Sequence, residues 1–263
     1  MKVPIYSIEG KEINDVELPI QFNEEYREDL IRRAVLSEES KMRQPKGSYK
    51  FAGLETSAEY RGEKETYGSL KNRGQAMLPR EIKPEGGWGR VRRIPSSVKG
   101  RRAHPPKVEK IIIEKMNNRE YQKAMRSALA SSTINEVINN RYNIGNRKVP
   151  IIIENNFEKL GKSREVLSVF SKLNLSSLIE NAKKRQKRKT GVGKTRTKRM
   201  IKTPKYLLVV VDGGEILKAA RGLCGVDVVR VSDLKVRHLA PGAFAGRVVV
   251  YTENAIKTIG EKL

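Results

Sequence analysis

Residues 206–231 read YLLVVVDGGEILKAARGLCGVDVVRV, and this stretch decides the fold class. Tyr206 to Val211 is a short apolar, β-branched run between Pro204 and Gly213-Gly214, the pattern of a strand covered on both faces. The glycine pair turns the chain into a helix through Leu223, which Gly225 can terminate. Val226 to Val231 then reads as another buried strand. Strand, helix and strand at this spacing predict parallel neighbours joined by a right-handed crossover.

The same alternation extends outward. Downstream, Arg247 to Tyr251 is a strand, and Thr252 caps a helix with Ala255, Ile256 and Ile259 inward. Upstream, Val149 to Ile153 is a buried strand, and Ser163 opens a helix through Leu173 that turns Val166, Leu167 and Phe170 inward. Asn117 and Glu120 have capping-box spacing ahead of a helix to about Ile138, with Tyr121, Ala124, Met125, Ala128 and Leu129 on one face. At the start, Val3 to Ile8 and Ile13 to Leu18 flank a turn at Glu9-Gly10-Lys11 and predict a hairpin. Asn23 caps a helix from Glu24 to about Lys41, with Tyr26, Leu30, Ile31, Ala34 and Val35 as its apolar stripe. The expectation is an α/β fold: a mostly parallel sheet flanked by helices, with a long basic loop extension. One globular body is built from residues 1–43 and 107–263.

Two stretches break the pattern. Residues 44–106 run without sustained apolar periodicity and are punctuated by glycine and proline, an uncommon length for a structureless loop in a compact domain. Arg43 to Lys107 holds sixteen cations against six acids, and Trp88 to Arg102 contains no acid at all. Such a segment repels itself and is expected to order only against a polyanion. The second stretch, 183–203, carries eleven cations and no acid and reads as a basic arm within the body.

The whole chain fits that reading. Its 263 residues carry a formal charge of +24, with 32% charged and 38% hydrophobic residues, so a core is expected for part of the chain only. The balance points to a nucleic acid. No apolar run approaches the roughly 20 residues that span a bilayer, so a membrane is not an expected partner. The N-terminus mixes charge into its apolar residues and is not read as a signal peptide, and the single Cys224 fits a reducing cytosol.

Within the loop, Arg43, Lys46, Arg61, Arg73, Arg80, Arg90, Arg92, Arg93, Lys99, Arg101, Arg102 and His104 are the candidate nucleic-acid contacts. The arginines carry planar forks suited to phosphate and to base stacking. In the arm the candidates are Lys184, Arg185, Arg188, Arg196 and Arg199. Trp88, the only tryptophan, is either a local apolar contact or a stacking platform for an unpaired base. Gly191-Val-Gly-Lys-Thr195 resembles the tail of a phosphate-binding loop, but residue 188 is arginine where that motif needs glycine, so a basic arm is favoured. Gly213-Gly214 lacks the dinucleotide fingerprint, and Asp212 at a strand end reads as a turn residue. Two histidines, His104 and His238, and one cysteine cannot supply a typical zinc set. No catalytic residue, metal, cofactor or small-molecule substrate is expected. An architectural DNA-binding protein and an RNA-modifying α/β enzyme are the alternatives, and each lacks its recognition helix or cofactor fingerprint.

Four stretches carry a resemblance: RQPKGSYKFAGLETSAEY from Arg43, GRRAHPPKVEK from Gly100, RSALA from Arg126 and LAPGAFAGRVVVYTENAI from Leu239. The sequence resembles the large-subunit ribosomal protein L-four family in its archaeal form. That resemblance implies a non-enzymatic, cytoplasmic constituent of the large ribosomal subunit. It also implies that the listed cations bind large-subunit ribosomal RNA, that neighbouring ribosomal proteins are partners, and that the protein aids early subunit assembly. The middle of the loop, with Arg61, Gly62, Lys71 and Arg73, would then face the nascent polypeptide in the exit tunnel.

Overall fold

The computed structural model describes residues 1–142, 144, 148–191 and 200–262. It divides into two compact units, Met1–Lys41 with Ile113–Leu263, and Met42–Ile112. The larger unit is an α/β body around a six-stranded sheet in the order β2-β1-β5-β10-β8-β9. The strands are β1 (Lys2–Tyr6), β2 (Glu12–Glu17), β5 (Ile151–Ile153), β8 (Leu207–Val211), β9 (Val226–Arg230) and β10 (Val248–Thr252). Within this sheet only β1 and β2 pair antiparallel; β1 with β5, β5 with β10, β10 with β8 and β8 with β9 are all parallel.

Strand periodicity explains why β5, β8 and β10 are unbroken apolar runs. Successive side chains point to opposite faces, and here both faces are covered. Ile152, Leu208, Val210, Val249 and Tyr251 enter one core, with residues of α1 (Glu28–Lys41), α2 (Asn118–Ser131) and the last helix, α8 (Glu253–Lys262). Ile151, Ile153, Leu207, Val209, Val211, Val248 and Val250 enter the other, with α4 (Ser163–Lys172) and α5 (Ser176–Lys184). Each fully buried aliphatic side chain contributes about 1.5–3 kcal/mol. The edge strand β2 faces water, so its sequence is mixed and charged.

The strands follow the sequence expectation closely, whereas several helices depart from it. The first helix begins at Glu28, not Glu24. Ile20–Asn23 forms a 3₁₀ turn that buries Phe22 against Tyr251, and Asn23 makes no cap. The Arg27 amide, at the true helix start, donates to Ser127 Oγ at 2.7 Å. The helix expected to reach Ile138 ends at Ser131 and restarts as α3 (Asn135–Asn139). Ser131, Ser132 and Thr133 turn their hydroxyls back onto the carbonyls of Ala128, Leu129 and Ala130, which unwinds that point. The capping box does not form; Glu120 instead pairs with Arg33 of α1 at 2.6 Å. The helix after Gly213-Gly214 shrinks to α6 (Ile216–Ala219). Two helices were absent from the sequence expectation, α5 and α7 (Val236–Leu239). Gly214 sits at φ +92°, where a Cβ would come 2.3 Å from the Glu158 carbonyl oxygen, so this turn accepts only glycine.

Candidate nucleic-acid interface

The expectation of a structureless loop also needs correction. The Met42–Ile112 unit contains a hairpin of β3 (Arg80–Ile82) and β4 (Trp88–Val91), and Glu59 and Arg80 exchange backbone hydrogen bonds beside it. Its stem closes by backbone contact. A Cβ on Gly53 would lie 2.6 Å from the Gly100 carbonyl, and one on Gly100 would lie 2.0 Å from the Ile94 oxygen. The Ser48 amide donates to the Pro106 carbonyl across the same stem. Little apolar surface is buried: within this unit only Ala58 and Leu70 join the buried hydrophobic residues.

Structure sorts the candidate cations by direction, which composition cannot do. Arg92 points inward. Its Nε donates to Glu81 Oε1 at 2.7 Å and its Nη1 donates to the Val98 carbonyl. The hydrogen bond from Arg92 holds the Glu81 carboxyl below its ordinary range. Arg61 bonds Glu59 and the Tyr67 carbonyl and so ties the 59–68 turn together. Arg93, at φ +68°, donates to the carbonyls of Leu54 and Thr56. Arg80 is half-buried. Arg43, Lys46, Lys71, Arg73, Arg90, Lys99, Arg101 and Arg102 are exposed, as is His104. None of these eight cations is in an ion pair among the described residues. Trp88 donates its indole N–H to the Gly68 carbonyl at 2.9 Å, and the Arg73 guanidinium lies 5.2 Å from its ring centroid. Gly62 is half-buried beside the Tyr60 ring.

In the body, Lys184 ends α5, Arg185 follows it, and both are exposed. The 183–203 stretch is more ordered than an arm: β6 (Lys187–Arg188) pairs antiparallel with β7 (Ile201–Lys202). Arg196 and Arg199, and all of the Gly191–Thr195 motif beyond Gly191, lie outside the described residues.

A second set of charged side chains in the body went unread in the sequence. Arg247 is fully buried; it lies 2.9 Å from Asp227 Oδ2 and donates to the carbonyls of Leu207 and His238. Lys205 reaches the same Asp227 oxygen at 2.9 Å. Burial works to raise the Asp227 pKa, but Arg247 and Lys205 outweigh it and hold the carboxyl below its ordinary range. Burial, with Arg237 and Lys205 nearby, pushes His238 down to about 4. His238 Nδ1 accepts the Lys235 amide at 3.2 Å, which also favours the neutral ring. On the other face Glu38 accepts the amides of Val236 and Arg237 and the Tyr121 hydroxyl, closing the start of α7. These are structural partnerships within the fold, although Arg247 Nε itself makes no hydrogen bond among the described residues.

The chain thus combines an α/β body whose buried charges find partners within the fold and a hairpin-built unit whose outward cations are in no ion pair among the described residues. Residues 16–262 match the family described as Ribosomal protein L4/L1 family. The chain is 43% identical over 261 residues to the large ribosomal subunit protein uL4 of Methanococcus maripaludis strain S2, covering 98% of each chain. It is 42% identical to the protein of that name from Methanocaldococcus jannaschii, over 100% of this chain and 99% of that one. The corresponding protein of Methanoregula boonei is 44% identical, over 97% and 98% of the two chains. The chain belongs to the ribosomal protein L4/L1 family and is a structural ribosomal protein, not an enzyme.

Proposed function

We propose that this protein, a structural constituent of the large ribosomal subunit, binds large-subunit ribosomal RNA through two basic surfaces. The first is the Met42–Ile112 unit; the second is the 183–203 stretch at the end of α5. The observation that carries the reading is the set of eight outward cations with no carboxylate partner among the described residues. Exposed cations held without counter-charges stay solvated until phosphates replace the water and release counterions. Binding of this kind would bring the protein to the RNA early in subunit assembly, in the cytoplasm, beside neighbouring ribosomal proteins.

The part that would line the polypeptide exit tunnel is the exposed turn 71–74, with Lys71 and Arg73, near Arg61 and Gly62 in sequence. Its residues are polar and charged, so a passing chain meets little hydrophobic adhesion. The test replaces Lys71 with glutamate in ribosomes. Incorporation into the large subunit, read by co-sedimentation after a high-salt wash, should persist. Nascent-chain stalling or binding of tunnel-blocking macrolide-type ligands should change. Failed incorporation with normal tunnel behaviour would make the turn an assembly element.

A further inference from the structure

One cavity lies wholly within the Met42–Ile112 unit. It encloses about 730 Å³ between the 59–73 turns and the β3–β4 hairpin. That is within the range of about 300–1,000 Å³ that holds small organic ligands. Its lining combines aromatic and cationic groups, with five cations against two acids. One of the acids, Glu59, is already neutralised by Arg61 at 3.1 Å.

Two features give the cavity a chemistry. Half-buried Arg80 lines it and is in no ion pair among the described residues. A half-buried cation without a counter-charge favours an anion beside it. Phosphate supplies one, because two of its oxygens match the planar guanidinium fork. Lys83, at the hairpin turn, lines the same space. The second feature is Trp88. Its ring is fixed by the bond from Nε1 to Gly68, and its π-face is already occupied at 5.2 Å by the Arg73 guanidinium. A planar, polarisable group suits both the indole and that guanidinium. At Gly87, which also lines the space, a Cβ would meet nothing within 4 Å apart from its chain neighbours.

We propose that this cavity takes one unstacked nucleotide of a single RNA strand, its base on Trp88 and Arg73 and its phosphate on Arg80. The inference rests on the RNA-binding reading and narrows it from a charged surface to a defined nucleotide site. It also assigns Arg80 a ligand role that its half-buried position hides.

Trp88 is the only tryptophan in the chain, so the emission of the full-length protein reports this cavity directly. The protein is titrated at one salt concentration with an unstructured ribonucleotide hexamer, with adenosine monophosphate, with inorganic phosphate and with duplex RNA. Binding of the labelled RNAs is read in parallel by anisotropy. The hexamer should quench Trp88 saturably and the free nucleotide only at far higher concentration. Inorganic phosphate should not quench, and duplex RNA should bind without quenching. Arg80→Gln should weaken the hexamer and lower its log–log salt slope by about 0.7. Trp88→Ala should weaken it roughly 5- to 150-fold, and Trp88→Phe by less. Hexamer binding with unchanged emission, or an Arg80→Gln variant with unchanged affinity and slope, would overturn the site while leaving RNA binding intact. Free nucleotide binding as tightly as the strand would overturn the assignment to RNA. No binding of either RNA would instead remove the broader reading. The wild-type emission and Arg80→Gln decide the matter even if the Trp88 variants misfold.

Discussion

Arg247 and Arg92 are the two buried arginines among the described residues, one in each unit. Arg247 sits in the body, which holds two large apolar clusters, with Asp227 and two carbonyls as partners. Arg92 has a similar set, Glu81 and the Val98 carbonyl, but its unit holds only Ala58 and Leu70 as buried apolar residues. In the body the buried charge is an insertion into a core that hydrophobic burial already stabilises. In the basic unit the arginine is itself much of the centre. The two units therefore rest on different forces: apolar area in one, hydrogen bonds and close backbone approach in the other. Salt, polyanions and mutation should act on them separately.

The largest test of that separation is Arg247→Ala. It leaves two carbonyls unpaired and Asp227 with Lys205 alone, and losing these buried hydrogen bonds costs about 3 kcal/mol. Urea unfolding of the body should shift by that amount; a smaller shift would mean the sheet tolerates the gap. Leu70→Ala should cost about 2–3 kcal/mol of local stability in the basic unit. It should appear as faster proteolysis within 60–75, while the body's unfolding midpoint stays within about 0.5 kcal/mol. A moved midpoint would show that the units unfold together.

Acid provides a smaller probe. His238 is depressed in the fold to about 4, below its ordinary 6.5, so the unfolded chain takes up the proton first. Its contribution to stability is complete above pH 6.5 and falls away as pH drops toward 4. Allowing for partial exposure and solvent screening, the loss is on the order of 1 kcal/mol. His238→Gln should flatten the stability profile in that window; an unchanged profile would place the titration elsewhere. The smallest structural effect belongs to the outward cations. Replacing Arg90, Arg101 and Arg102 with alanine should leave stability within about 0.5 kcal/mol. The salt slope of RNA binding should fall by roughly 2, at about 0.7–0.9 per phosphate contact. Arg92→Ala should do the reverse, loosening the unit before it alters the slope.

What the sequence revealed follows from the same contrast. β5, β8 and β10 are legible because burial on both faces leaves an uninterrupted apolar run. α5 was not, because its buried Leu178, Ile179 and Ala182 lead straight into Lys183 and Lys184, and the charge run masks the period. The break after Ser131 depended on hydroxyls choosing carbonyls, which composition does not show. In the basic unit, counting charge identified the region, but direction was invisible. Arg90, Arg92 and Arg93 stand almost side by side, yet one faces water, one is buried and one clamps two carbonyls. Arg80 was named as a candidate, but its place in the cavity lining is a property only coordinates reveal.

The position of β10 has a consequence for how the protein is made. It is the last strand in chain order, yet it lies between β5 and β8. Until Val248–Thr252 is synthesised, the sheet exists as two unjoined pieces, β2-β1-β5 and β8-β9. Each piece presents an open strand edge, a template for pairing with another chain. Both basic stretches are made before that strand arrives. A newborn chain thus carries its phosphate-seeking surfaces and two sticky edges at the same time. Delivery of that one five-residue strand joins the two pieces into a single sheet and closes both edges.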